Sequence, residues 1–176
     1  MEGATVRRYD RRVQSWTTIM EGLFPAQLRH PPDDLGWAEM QRLRGLVAAQ
    51  AGETEAVIAE LLRMVAPHQS SQRSAGLLLA ALSDALDPQV RAEHADALER
   101  IAEANRVRNR VVHGRVETGS TWIDYKTGGG EYQAVISFIG GEEYDEIDLV
   151  RDFDLQVEAT TLAVQLLHAV QQRLSR

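Results

Sequence analysis

The stretch Asn105-Arg106-Val107-Arg108-Asn109-Arg110-Val111-Val112-His113-Gly114 reads as the end of a helix, with glycine just past the last periodic residue. The matching start lies upstream at Asp87-Pro88, where a capping carboxylate precedes a proline whose missing N–H costs nothing at the first helical position. The two signals predict one helix from about Pro88 to His113.

Working outward, Ala75 to Leu86 is nearly continuous in alanine and leucine, as expected of a helix buried on most sides. Before it, Leu43, Leu46, Val47, Val57, Ile58, Leu61, Leu62 and Val65 keep a helical period across Gly52. They predict one long helix from Ala38 to about Ala66, ended by Pro67. A mid-helix glycine costs about 1 kcal/mol relative to alanine, which neighbouring alanines and leucines can absorb. Nearer the start, Val6, Tyr9, Val13, Trp16, Met20 and Leu23 alternate steps of three and four and predict a first helix over about 5–23. Pro25 and Pro31-Pro32-Asp33-Asp34 then read as a loop.

Downstream of Gly114 the period changes to two. Ile123 and Tyr125 alternate with Trp122, Asp124 and Lys126, Thr127-Gly128-Gly129-Gly130 turns the chain, and Tyr132 to Ile139 alternates again. This predicts a β-hairpin insertion over about 120–147, with a third short strand at Tyr144 to Ile147. Leu149, Phe153, Val157, Leu162, Leu166 and Val170 then mark a last helix to about Leu174. The expected fold is mainly α: a single domain over 1–176, a bundle of about five helices with a small β-hairpin inserted before the C-terminal one.

A chain of 176 residues without cysteine excludes disulfide scaffolds and thiolate metal sites. No apolar run reaches the roughly 18 residues a membrane span needs, and no apolar stretch follows the arginines at the start, so no membrane partner and a cytoplasmic location are expected. The net charge is −7, yet Lys126 is the only lysine among 19 basic residues and the signs are unevenly placed. Residues 100–115 hold Arg100, Arg106, Arg108, Arg110 and Arg115 against Glu103 alone, whereas 131–158 hold nine carboxylates against Arg151. Overall acidity argues against loose wrapping of nucleic acid, but one basic patch suits a short anionic segment.

That patch contains a histidine. On an ideal helix Asn109 lies about 40° and Arg106 about 20° from His113, on one face, while Arg108 is about 140° away and needs its long side chain or a second subunit to close the gap. Guanidinium groups fork onto phosphate oxygens, an amide orients, and an imidazole moves protons near neutrality. The set suits a phosphodiester. RNA carries its own nucleophile in the 2′-hydroxyl and needs only a base and charge stabilisation, giving a cyclic phosphate and a free 5′-hydroxyl; DNA lacks that hydroxyl. The five histidines are scattered without a His-x-x-x-His pair, so neither a metal nor another cofactor is expected.

Arg108-Asn109-Arg110-Val111-Val112-His113, followed by Gly114, resembles the R-x4-6-H signature of HEPN domains in the form where a polar residue follows the arginine. The resemblance implies a HEPN-like helical bundle that homodimerises with its motif helices facing, and a metal-independent endoribonuclease, such as a toxin or defence effector. It assigns catalysis to Arg108 and His113 and a supporting role to Asn109; Arg106, Arg110 and Arg115 join them as RNA-binding candidates from charge and helix geometry. RNA and an antitoxin or nucleotidyltransferase-like protein are the implied partners. The same resemblance accommodates a non-catalytic module that dimerises or binds a nucleotide, RNA or protein. Arg63 and His68 repeat the bare spacing, but that copy straddles Pro67 and lacks the polar residue. Arg115 stands where one toxin branch has tyrosine, and the hairpin is additional to the minimal bundle.

Plainer readings exist for each residue. His113 could cap the helix end, and Arg106, Arg108 and Arg110 could be salt-bridge partners. His30, His68, His94 and His168 lack comparable neighbours. Trp16, Trp37 and Trp122 suit packing, and Tyr125 and Tyr132 suit either cross-strand pairing or contact with RNA.

Overall fold

A computed structural model describes residues 6–13, 37–114, 116–138 and 143–175. They form strand β1 (Val6–Val13), helices α1 (Trp37–Val65), α2 (Ala75–Ala85), α3 (Pro88–Glu93) and α4 (Ala95–His113), strands β2 (Val116–Asp124), β3 (Gly130–Phe138) and β4 (Glu143–Tyr144), and helix α5 (Glu146–Leu174). The protein is mainly helical, with an antiparallel hairpin before the C-terminal helix. The chain divides into two compact units, Met1–Gly45 with His113–Val150 and Leu46–Val112 with Arg151–Arg176.

The second unit is built by burial at helical spacing. Ile58, Leu61 and Leu62 of α1, Leu78, Leu79 and Leu82 of α2, Val90 of α3, Leu98, Ile101 and Ala104 of α4, and Leu155, Ala159, Ala163 and Leu166 of α5 share one apolar cluster. A fully buried leucine or isoleucine contributes roughly 1.5–3 kcal/mol by leaving water. The long α1 runs through Gly52, which is exposed with open space where a Cβ would stand, so no packing opposes it.

Three helical expectations need correction. α2 is one-sided: Leu78, Leu79, Ala81 and Leu82 are buried, but Leu77 is 62% exposed. The helix expected from Pro88 to His113 is two. Asp87 caps α3 as read, accepting from the N–H groups of Gln89 and Val90, but His94 adopts φ −116° and ψ 21° and separates α3 from α4. On a straight helix Val90 and Leu98 would sit about 80° apart; the step at His94 lets both enter the same cluster. The helix expected over 5–23 is contradicted at Val6–Val13, which is a strand, while 14–23 lie outside the described residues.

The first unit carries the sheet, antiparallel in the order β1-β2-β3-β4. Its hairpin starts four residues before the expected 120, and β2 pairs with β3 from Val116↔Phe138 to Asp124↔Gly130. Gly128 and Gly129 turn it with φ of 90° and 79°, a left-handed conformation that suits glycine. Toward the middle of the hairpin Ser120, Thr121, Ala134, Val135 and Ile136 are buried, whereas Tyr125 and Tyr132 near its tip are 46% and 43% exposed. The third hairpin strand is only Glu143–Tyr144, and Ile147 already belongs to α5. Strand β1 pairs with β2 from Val6↔Ile123 to Val13↔Glu117, its register slipping at Tyr9. That bulge breaks the period of two and hides the strand, leaving the three-and-four spacing as the visible pattern.

Candidate functional site

The motif occupies the last turns of α4, which ends at His113 as read. Leu98, Ile101, Ala104 and Val111 are the buried residues of this helix. Steps of three and four carry that stripe through Arg108, so the motif arginine takes an inward position where the pattern calls for an apolar side chain. Its side chain is only 24% exposed and lies 3.2 Å, Nη2 to Oε1, from Glu55 of α1. Its Nη1 donates to Oδ1 of the adjacent Asn109 at 2.9 Å.

Glu55 was not singled out from the sequence, although the signal was there. In α1 the buried residues Ala51, Thr54, Ile58, Leu61 and Leu62 flank it on one side of the helix. A carboxylate on the apolar stripe of α1 and a guanidinium on the apolar stripe of α4 are each costly alone and tolerable as a pair.

Below the pair is a recess with room for about 20 Å³, lined by Thr54, Glu55, Leu79, Ile101, Asn105 and Gln156 among others. That holds a water molecule, not a nucleotide. The surrounding core is polar for a helical bundle: Gln156 is 1% exposed and donates to the Ala104 carbonyl at 2.8 Å. Thr160 meets Thr54 and Gln50 through hydroxyl and amide contacts of 2.8 Å. Asp152, 7% exposed, completes this side of α5, and its Oδ2 has no hydrogen-bond partner among the described residues. Burial raises its carboxyl above the ordinary aspartate value, against the pull of Arg110 and Arg151.

The remaining candidates lie outward. Arg106, Asn109, Arg110 and His113 are all exposed along α4, and Arg115 lies outside the described residues. The structure therefore joins Arg108 to Asn109 and Glu55, and leaves Arg106, Asn109 and His113 as an outer face. It does not bring Arg108 and His113 of one chain onto the same side of the helix. Arg63 sits in α1 beside Glu60, while His68 lies in the turn after Pro67, so that second copy of the spacing spans a helix end. Among the described residues no three His, Asp or Glu side chains gather as metal ligands, and no helix is long and apolar enough to cross a membrane.

Comparison with protein-family models, with curated proteins and with solved structures returns no match.

Proposed function

We propose that the protein is a metal-independent endoribonuclease of the HEPN type, acting as a toxin or defence effector. The observation that carries the reading is the end of α4: an exposed histidine at its last position, an exposed asparagine one turn earlier, and an arginine bonded to that asparagine at 2.9 Å. His113 would take the proton of a 2′-hydroxyl as it attacks the adjacent phosphorus, the 5′-oxygen leaving with a proton returned by an imidazole. Arg108 would neutralise the equatorial oxygens of the phosphorane, a role in which its fixed, forked geometry exceeds that of lysine. With the two residues about 140° apart on one helix, a homodimer with facing motif helices is the arrangement that lets both serve one phosphate. Arg106 and Arg110 would hold flanking phosphates, and any antitoxin would cover this face.

The test is cleavage of labelled RNA by the purified full chain in chelator, with analysis of the product ends. A cyclic phosphate and a free 5′-hydroxyl, both lost on His113→Ala and on Arg108→Ala, are expected. No cleavage, or cleavage that survives both substitutions, overturns the reading.

A second reading has its own observation. Arg108 is three-quarters covered and tied to Glu55, an arrangement that serves folding without chemistry. A non-catalytic HEPN-like module that dimerises or binds RNA, a nucleotide or a partner would need nothing more, and turnover dependent on His113 eliminates it.

A further inference from the structure

We propose that Glu55 holds Arg108 in reserve: its carboxylate takes the guanidinium that an RNA phosphate would bind, so that RNA engages Arg108 only by exchanging one oxyanion for another. The proposal rests on the reading that the end of α4 meets RNA, and it names what controls Arg108 there.

Every residue involved lies in the helical unit of Leu46–Val112 with Arg151–Arg176. Nη2 of Arg108 is 3.2 Å from Oε1 of Glu55, and the two side chains are 24% and 30% exposed. Yet Oε1 is shut off from solvent and has no hydrogen-bond partner among the described residues. The approach is thus held by charge, without the aligned N–H···O geometry that makes a forked arginine–carboxylate pair strong. On the other arm of the fork, Nη1 donates to Oδ1 of Asn109 at 2.9 Å, and Asn109 is exposed. One guanidinium therefore joins an interior carboxylate to an outward amide.

A phosphate does not reach this pair from the inside. The recess beside Glu55 has room for about 20 Å³, enough for a water molecule alone. The approach is from the Asn109 side, toward which the long arginine side chain can turn. Carboxylate and phosphate present the same two-oxygen edge to a guanidinium, so the exchange needs no new donor. Its cost falls on Glu55, whose charge stays behind in the interior. That cost is limited by the recess, where Thr54, Asn105 and Gln156 stand beside Glu55 as a polar wall on which one water can hydrate the carboxylate. Stability alone asks for no such arrangement, because well-packed apolar side chains commonly serve a helical core as well as a partly buried ion pair does.

The experiment titrates the full chain with a fluorescently labelled 2′-O-methyl oligouridylate of about a dozen nucleotides, which cannot be cleaved through its 2′ position. Glu55→Gln keeps the shape of the side chain and removes its charge. It should bind about tenfold tighter than the parent and steepen the slope of log affinity against log salt by about 0.7, the mark of one further phosphate neutralised. Arg108→Gln added to Glu55→Gln should erase both gains. Glu55→Asp, which draws the charge back along a shorter side chain, should give a smaller gain in the same direction, and it is the variant to read if Glu55→Gln does not melt cooperatively. No gain from the Glu55 substitutions, or a gain that survives the loss of Arg108, overturns the proposal. Both gains without cleavage of ordinary RNA keep the role of Glu55 and remove the ribonuclease; cleavage dependent on His113 with no gain keeps the ribonuclease and removes the role of Glu55.

Discussion

The inner and outer sides of α4 put the two motif residues into different physical settings. Arg108 lies on the buried stripe, ion-paired with Glu55 and 24% exposed, whereas His113 is exposed at the helix end. A substitution on the inner side perturbs an interior ion pair as well as any chemistry. On the outer side the exposed imidazole contributes little apolar burial. Loss of activity with loss of stability, and loss of activity without it, are therefore separable outcomes within five positions of one helix.

The largest effect is expected on the outer side. His113→Ala should lower RNA cleavage by about 10²–10⁴-fold, the usual worth of a positioned general base. Its melting temperature should stay within about 1 °C of the parent, because an exposed side chain contributes little to burial. Single-turnover cleavage and thermal melting on one preparation check both halves. A large drop in melting temperature would mean that His113 is a structural cap, and the contrast between the two sides would collapse.

On the inner side, Arg108→Ala strands Glu55, whose Oε1 is shut off from solvent. Breaking a partly buried pair from one end should cost about 2 kcal/mol, roughly 4–8 °C for a chain of this size. Glu55→Ala should cost about as much. Arg108→Ala with Glu55→Ala should cost clearly less than the sum of the two, because no charge is then left alone. Additive losses in that cycle would show that the 3.2 Å approach carries no coupling.

The same contrast marks what the sequence made legible. Apolar periodicity located α1 and α5, since burial at a fixed spacing leaves a local trace, a nearly continuous alanine–leucine run located α2, and Gly114 marked the far end of α4. A glycine run and a period of two located the hairpin. The Arg108–Glu55 pair escaped because its evidence is split between two helices: each charge looks like an ordinary surface residue until both apolar stripes are drawn through it. Strand β1 escaped for another reason. Its pairing partner lies more than a hundred residues away, and the slip at Tyr9 erased the alternation that would have named it. The step at His94 has no glycine or proline to announce it; only the shared burial of Val90 and Leu98 accounts for it.

Asp152 extends the comparison to a buried charge with weaker compensation. Its native carboxyl is raised, chiefly by burial, so the folded state holds a proton at pH values where the unfolded chain has released it. Stability should therefore increase as pH falls through the raised native value toward the ordinary aspartate range, and be lost as pH rises again. Asp152→Asn removes this dependence and should stabilise the protein by about 1 kcal/mol at neutral pH, since an amide is cheaper to bury than an incompletely satisfied carboxylate. Melting curves of parent and variant from acid to neutral pH should diverge upward through that window. Parallel curves would mean that Arg110 and Arg151 already neutralise the site.

The smallest effect belongs to Arg100, on α4 like Arg108 and also paired with carboxylates. Its guanidinium bonds Glu158 and Glu103 at 2.6–2.9 Å, closer than Arg108 approaches Glu55, yet its side chain is 40% exposed. Distance alone would rank this pair as the stronger. Exposure reverses the order, because water and salt screen the attraction and the freed carboxylates are rehydrated at once when the arginine is lost. Arg100→Ala should leave the melting temperature within about 1 °C of the parent and shrink even that shift in high salt, against the several degrees expected for Arg108→Ala. Equal losses from the two substitutions would show that burial on the inner side of α4 does not set the strength of its ion pairs, and the separation of Arg108 from His113 by physical setting would fail with it.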